Sequence, residues 1–317
     1  MRKVDKKYIV DIYHKIDVSI IIGNDCPYNC EHCIVKYCRN KLNIKYEPNE
    51  EYIKYIVNNI IPETKVIHLG MGELFYNKYL PYLLRVLDAC KEFNVKVRLD
   101  TSGSILDSNV CNLNINEFFN KYKDIIVLFS ISFDHYHSRF IPIKKRLELV
   151  NTCYKYGIPI RAVAFVTDPL EHLITIQEKL SKFDNCVIVL CCLLYQEKLF
   201  GYEEVINLNS IPKEIRPICR GRPQDRIHCH TRKDLVIVSP NGWYTCIHAS
   251  YFNLPFYESY QLPLREAKKK AIEIKNKIDK ELKERIIPDD NIHCYQVCEI
   301  CTEFILPEIL KYYKGGA

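Results

Sequence analysis

No apolar run in this 317-residue chain is long enough to cross a bilayer. The longest, Ile125 to Phe129 and Val187 to Leu194, fall far short of the ~20 residues a spanning helix needs. The start, Met1-Arg2-Lys3-Val4-Asp5-Lys6-Lys7, is charged and lacks the apolar segment of a secretory signal. Repeats, low-complexity tracts and Gly/Ser linkers are missing as well. Charge of one sign is scarce: 45 basic against 39 acidic residues leave a net +6, which permits an acidic partner without demanding one. These absences predict a cytoplasmic protein with no membrane partner and no commitment to nucleic acid. They also bear on the sixteen cysteines. Such a number suggests disulfides in a short secreted chain, and this chain is neither short nor led by a signal. The thiols are expected to be reduced, hence available to metals.

What is present is a hydrophobic content of 48%, enough for a large α/β domain with a smaller appendage. Strand and helix patterns alternate. Asp17 to Ile22, Lys65 to Leu69, Val95 to Leu99, Ile125 to Ile131, Ile158 to Val166 and Cys186 to Leu194 read as six short apolar strands. Between them, Lys78 to Glu92, Asn116 to Tyr122, Leu147 to Tyr156 and Leu170 to Ser181 carry helical periodicity. This alternation argues for parallel crossover units. Asp234 to Cys246 reads as a β-hairpin turning at Pro240-Asn241-Gly242. Lys268 to Arg285 reads as a solvated amphipathic helix, with Ala267, Ala271, Ile274, Ile278 and Leu282 on one stripe.

The chemistry gathers on the loop after the first strand, Asn24-Asp25-Cys26-Pro27-Tyr28-Asn29-Cys30-Glu31-His32-Cys33. Cys26, Cys30 and Cys33 offer three thiolates with no fourth at a matching offset. A four-iron cube needs four ligands to close, so three leave one iron open to a substrate or cofactor. The competing reading is a zinc site completed by His32 or a distant ligand. After the second strand comes Gly70-Met71-Gly72-Glu73, a turn whose backbone can approach a ligand closely. After the third comes Asp100-Thr101-Ser102-Gly103. Ser130 and Ser132 alternate along the fourth strand and share a face. Asp134, His135 and His137 follow it as a polar cluster, for which a zinc site on the two histidines is the alternative. Arg161, early in the fifth strand, is suited to a carboxylate. A second group of cysteines, Cys229, Cys246, Cys294, Cys298 and Cys301, lies near the C-terminus.

The C-x3-C-x2-C loop after an apolar strand, with Met71-Gly72-Glu73 in register behind it, resembles the radical S-adenosylmethionine (SAM) enzymes. The resemblance implies a partial six-stranded (β/α)6 TIM-like barrel over residues 17–210, behind an N-terminal extension of residues 1–16. It implies a 4Fe-4S cluster on Cys26, Cys30 and Cys33 whose open iron takes SAM. Met71, Gly72 and Glu73 then contact the SAM amino group, with Met71 standing where the family has a glycine. Ser102, Ser130, Ser132, Asp134 and Arg161 are further expected SAM contacts. Cleavage of SAM would give a 5′-deoxyadenosyl radical, with electrons from a donor such as flavodoxin or ferredoxin.

The hairpin and the later cysteines resemble the auxiliary-cluster domains called SPASM and twitch, here residues 211–317. One further 4Fe-4S cluster would use Cys229, Cys246, Cys298 and Cys301, with Cys294 able to replace one of them; structural zinc is the alternative. Leu128 to Phe140, His228-Cys229, Asp234, Tyr244-Thr245-Cys246 and Cys298 to Cys301 further resemble enzymes that epimerise residues of ribosomally made peptides. That likeness places Asp234 in the active site and implies a peptide substrate. One departure stands out: Ile247 follows Cys246 where such an epimerase has a hydrogen-donating cysteine. Cys191 and Cys192, one of which should point into the barrel, become the candidate donors, followed by Cys219 and Cys294. No extra peptide-recognition domain precedes the first strand, which weakens the peptide reading. A sugar, nucleoside or other small metabolite is the alternative substrate, and a non-catalytic iron–sulfur or zinc protein the alternative of another class.

Overall fold

A computed structural model describes residues 15–165, 167–191, 232–285, 298 and 300–314. Six strands lie parallel in chain order: β1 (Val18–Ile20), β2 (Val66–Leu69), β3 (Lys96–Thr101), β4 (Ile126–Ser132), β5 (Ile160–Phe165) and β6 (Cys186–Cys191). Helices fill each crossover: α1 (Ile34–Lys41) and α2 (Glu50–Tyr55), then α3 (Leu80–Glu92), α4 (Ile115–Tyr122), α6 (Ile143–Lys155) and α7 (Leu170–Leu180). A one-turn helix, α5 (His135–Ser138), follows β4 directly. The order never reverses. Right-handed crossovers that all step the same way put every helix on one face and roll the other face inward. A doubly wound sheet would need a reversal, so the architecture is an open partial barrel.

The expected strands and helices stand within a few residues of their predicted limits. The fifth strand begins after Pro159, which has no N–H for a ladder. The sequence reading assigned no helix between the cysteine loop and β2, where α1 and α2 lie; Asn49 caps α2 by accepting from the Tyr52 N–H at 2.8 Å.

The two faces of the sheet differ. One register row, Ile20, Leu69, Leu99, Phe129, Ile160 and Cys186, lies in the main core under the helices. A neighbouring row on the opposite face reads Asp100, Ser130, Arg161 and Val187. Full burial of each apolar side chain contributes about 1.5–3 kcal/mol. The outer layer therefore holds the sheet together, and the inner layer is free to carry polar groups.

The hairpin β7 (Val236–Ser239) and β8 (Gly242–Tyr244) joins the same sheet, with β7 parallel to β1. Tyr52 reaches across both strands, donating to Ile21 O at 3.0 Å and Val238 O at 3.2 Å. The expected solvated helix, α9 (Leu264–Arg285), does bury its predicted stripe, but it also buries Lys275 completely. The Lys275 ammonium donates to Arg232 O at 2.7 Å, Lys233 O at 3.2 Å and Leu235 O, closing the chain turn that leads into β7. A short α8 (Ile247–Tyr251) and a C-terminal α10 (Leu306–Lys314) complete the described chain. Replacing Lys275 with Met should strip these carbonyls of their donor and destabilise the protein by about 3 kcal/mol, read by urea unfolding.

Candidate functional site

The cysteine loop leaves β1 under close restraint. Asn24 is buried, donating to Ile44 O at 2.9 Å and accepting from the Tyr46 N–H at 2.9 Å. Asp25 accepts from the Cys26 N–H at 2.9 Å, and its carboxylate pairs with Arg39 and with Lys78 at 3.3 Å. Cys33 closes the loop as the cap of α1, its sulfur accepting from the Lys36 N–H at 3.4 Å. Cys30 is buried, while Cys26 and Cys33 are half-buried. Burial pushes the Cys33 thiol up to about 11. Burial pushes Cys26 higher still, with Glu73 and the other two thiols adding to it. A cationic centre would displace these protons on binding.

The residues fit a cluster better than a zinc ion. Tetrahedral zinc with Zn–S bonds of ~2.3 Å draws its sulfurs to within about 4 Å of one another. The grouping that the described residues bring within 4.8 Å is instead His32, Asp134 and His137. His32 turns into that group and stacks on Tyr136 at 4.5 Å. Two buried atoms beside the loop and inside the barrel, His32 Nδ1 and Ser130 Oγ, have no hydrogen-bond partner in the protein, as expected where a polar ligand supplies one.

The turn after β2 packs against the loop backbone to backbone. The Glu73 N–H donates to Asp25 O at 3.1 Å. Gly72 has φ +61°, and a Cβ there would lie 2.6 Å from Asp25 O. Met71, in place of the family's glycine, takes φ +76°, the left-handed region glycine favours. The Glu73 side chain is buried and fully engaged. Its Oε1 accepts from Thr101 Oγ1 at 2.8 Å and the Phe75 N–H at 3.2 Å, and its Oε2 from the Ser102 N–H at 2.9 Å and the Ser102 hydroxyl. Met71-Gly72-Glu73, Thr101-Ser102-Gly103 and the cysteine loop thus form one wall.

The opposite wall is built on β4 and β5. Asp134 caps α5, accepting from the His137 N–H at 3.0 Å, and its Oδ2 lies 2.7 Å from His137 Nδ1. Burial opposes a charged ring, yet Asp134 and Cys30 together raise His137 to about 10. Burial pulls His32 down to about 3, so that ring is neutral. His135 faces a different carboxylate, Asp168, at 3.0 Å from Nδ1. The two histidines therefore do not converge on one metal. Arg146 is fully buried and donates to Ser132 O at 2.8 Å, Asp134 O at 3.3 Å and the Ser138 hydroxyl.

Deeper on the inner face, Ser19 Oγ lies 2.8 Å from His68 Nδ1, and His68 Nε2 lies 3.0 Å from Asp100 Oδ2. Arg98 grips Asp100 with both prongs at 2.9 and 2.8 Å. Burial would raise the Asp100 carboxyl, but Arg98 and then His68 hold it far below the usual range. Arg161 shares this layer, with Nη2 3.8 Å from Cys191 Sγ. Its register places it level with Asp100 and Ser130, below the loop, while Cys191 lies further along β6, opposite Phe165. Ser132 is half-buried on the same face as Ser130.

Two groups of expected site residues fall elsewhere. Asp234 sits before β7, which runs parallel to β1, so it lies at the opposite end of the strands from the cysteine loop. Its partly exposed carboxylate pairs with Arg232. Cys246 caps α8, its sulfur accepting from the Ala249 N–H at 3.4 Å, while Cys298 and Cys301 lead into the C-terminal helix. Cys192, Cys219, Cys229 and Cys294 lie outside the described residues. The sequence reading passed over Asp25, Asp100, Arg146 and Asp168. Asp25 had a signal, since it directly precedes Cys26; Arg146 looks like an ordinary helix-surface residue.

Two substitutions probe these walls. Gly72→Ala should cost about 1–2 kcal/mol for the left-handed backbone alone. The collision with Asp25 O adds to this and should move Glu73 off the loop, read as weaker SAM binding by calorimetry. Asp100→Asn should leave the Arg98 charge buried and cost about 2–3 kcal/mol at pH 7, the low end for a pair whose carboxylate is a third exposed. The carboxyl is depressed in the fold, so its contribution is present above the unfolded value of about 3.9 and lost as pH falls. The gap between variant and wild type, measured by urea unfolding, should narrow below about pH 4.

Among known proteins, solved structures give distant likenesses. Methylornithine synthase (PylB) is 14% identical with a TM-score of 0.44, covering 65% of this chain and 66% of its own. Streptococcus suis SuiB bound to S-adenosylmethionine is 12% identical with a TM-score of 0.41, covering 83% and 67%. A truncated 3-deoxy-D-arabino-heptulosonate 7-phosphate synthase from Thermotoga maritima is 13% identical with a TM-score of 0.34, covering 84% and 88%. The chain thus spans about two thirds of the length of the first two. No curated protein sequence matches it. Residues 20–180, half of the chain, match the Radical SAM superfamily, and with the three-thiol loop and the Glu73 turn at the mouth of an open barrel, this chain belongs to that superfamily.

Proposed function

We propose that this radical SAM enzyme inverts or oxidises a residue of a ribosomally made peptide, with Cys191 as the hydrogen donor when the outcome is inversion. When bound on Cys26, Cys30 and Cys33, the cluster and SAM supply a radical that abstracts a hydrogen atom from an unreactive C–H bond. The protein's own residues set the rest. The Glu73 and Ser102 wall and the His32 and Ser130 atoms orient the nucleotide. The apolar outer layer keeps the barrel rigid, so reach decides which hydrogen is taken.

The position of Cys191 is the observation that carries this reading. Its register partner is Phe165, so the two share a face of the parallel sheet. Phe165 meets the His32 ring edge-on at 5.1 Å. The thiol therefore faces the side that the cysteine loop covers. A thiol there can give its hydrogen atom to a carbon radical, forming C–H and breaking S–H. The sulfur radical left behind takes one electron from a flavodoxin- or ferredoxin-type donor and a proton from solvent. The layer of Arg98, Asp100 and Arg161 favours a second reading, a small polar metabolite held deeper in the barrel. An auxiliary 4Fe-4S cluster on Cys229, Cys246, Cys298 and Cys301, or with Cys294 in place of one, would serve the oxidative outcome by taking an electron from the substrate.

Anaerobic turnover in heavy water with a peptide encoded beside the gene, read by mass, tests the proposal. Uptake of one deuterium supports inversion; loss of two hydrogens supports oxidation; no change in any such peptide favours the metabolite. Cys191→Ser should abolish deuterium uptake while 5′-deoxyadenosine still forms. Undiminished uptake in that variant would remove Cys191 from the role. Cys30→Ala should abolish SAM cleavage altogether.

A further inference from the structure

We infer that the row Asp100, Ser130 and Arg161 on the inner face of the barrel binds an amide group of the substrate, with the amide N–H directed to Asp100 and its C=O to Arg161. The inference rests on the radical SAM reading and names the chemistry that the deep polar layer recognises. The three residues are register partners on β3, β4 and β5, so their side chains stand side by side on one face. Along the row they present an acceptor, a hydroxyl and a donor, in that order.

Each group is prepared for a ligand. Arg98 holds the Asp100 carboxylate at 2.9 and 2.8 Å, and His68 Nε2 lies 3.0 Å from it. Even so, the Asp100 side chain keeps 33% exposure, against 5% for Arg98. Asp100 is therefore fixed from behind and open toward the barrel interior. Ser130 is buried, and its Oγ has no hydrogen-bond partner among the described residues. A hydroxyl both donates and accepts, so Ser130 can touch the nucleotide above and a substrate beside it. Arg161 carries five N–H donors, enough to serve a substrate carbonyl together with the contact to Cys191 Sγ at 3.8 Å. Leu128, on the same face as Ser130, is fully buried and packs with Val187. This apolar floor strengthens the hydrogen bonds made above it.

Charge and span select the amide. A carboxylate ligand would meet Asp100, whose burial is outweighed by Arg98 so that its carboxyl stays ionised. An ammonium ligand would meet the guanidiniums of Arg98 and Arg161. Like charges set side by side are costly, so an uncharged group fits this row. Two strand spacings of ~4.8 Å set the Asp100 and Arg161 backbones about 9.6 Å apart. One hydroxyl oxygen offers a single point within that gap. An amide, with N–H at one edge, C=O at the other and a hydrogen bond of ~2.9 Å on each side, covers roughly 8 Å. Such an amide is either a peptide bond of a ribosomally made substrate or the carboxamide of a side chain or small metabolite.

The test is saturation-transfer NMR on the anaerobically reconstituted full-length protein with SAM and no reductant. The probes are N-acetylglycine N-methylamide for the peptide bond, propionamide for the carboxamide, and propionate and glycerol as non-amides. At least one amide should bind about tenfold more tightly than propionate or glycerol. Binding of N-acetylglycine N-methylamide, with or without propionamide, assigns the row to a peptide backbone; binding of propionamide alone assigns it to a carboxamide. Arg161→Met should weaken the bound amide about tenfold, the loss of a hydrogen bond to a charged donor. If that variant does not fold, Ser130→Ala is read instead and should weaken it about threefold. Unchanged amide binding in the folded variant, or no preference of wild type for either amide, would overturn the inference. Absence of 5′-deoxyadenosine on reduction would overturn the radical SAM reading beneath it, whereas SAM cleavage without amide binding overturns this inference alone.

Discussion

The close approach of Gly72 to the Asp25 carbonyl is the constraint on which the site depends. Two loops from adjacent parallel strands are brought so near that a methyl group would not fit between them. The Glu73 N–H then meets Asp25 O, and the Glu73 carboxylate is carried to Thr101 and Ser102 at the end of the next strand. Three strand ends are thus locked through one glycine and one carboxylate. The cysteines are placed by the backbone that this contact fixes, and Cys33 also by its own sulfur, which caps α1.

That arrangement requires a sheet whose inner face need not be apolar. Consecutive strand order puts the helices on the outside, and the outer register row provides the cohesive burial. The inner face can then hold Ser19, His68, Arg98, Asp100 and Arg161, a layer that would be ruinous on the other side. Its charges are tolerated because Asp100 is gripped bidentately and His68 is made neutral-leaning by burial. Stability and chemistry are divided between the two faces of the same strands.

Much of this was legible in the sequence where the signal was local. Six apolar strands, the three-thiol spacing and the Gly72-Glu73 turn are short patterns with fixed offsets, and the structure gathers them as the spacing implied. Strand alternation implied that one of Cys191 and Cys192 faces the barrel, and the register of β6 against β5 turns Cys191 that way. What was not legible depends on contacts between distant segments. Asp234 resembled an active-site residue, but the direction in which β7 pairs with β1 sends it to the far end of the strands. Lys275 read as one more solvated lysine, because periodicity cannot show that a chain turn ends above it with open carbonyls. The separation of His135 from His137 depends on Asp168, a residue more than thirty positions away.

The mouth of the barrel shows why such long-range terms matter for chemistry. Asp134, Asp168, Arg146, His32, His135 and His137 come from the cysteine loop and from segments around β4 and β5, and they pair selectively. His137, hydrogen-bonded to Asp134, is driven toward the charged form against its burial; His32 is driven toward the neutral form by burial and by the neighbouring His137, against a weaker pull from Asp134. Two histidines whose rings meet at 5.0 Å thus become a charged donor and a neutral aromatic surface. The neutral ring, with its unpartnered Nδ1, suits contact with a nucleotide; the charged ring is held by the Asp134 carboxylate. The cysteine loop and the helix after β4 therefore present different chemistry where they meet, because the Asp134 carboxylate is hydrogen-bonded to only one of the two rings.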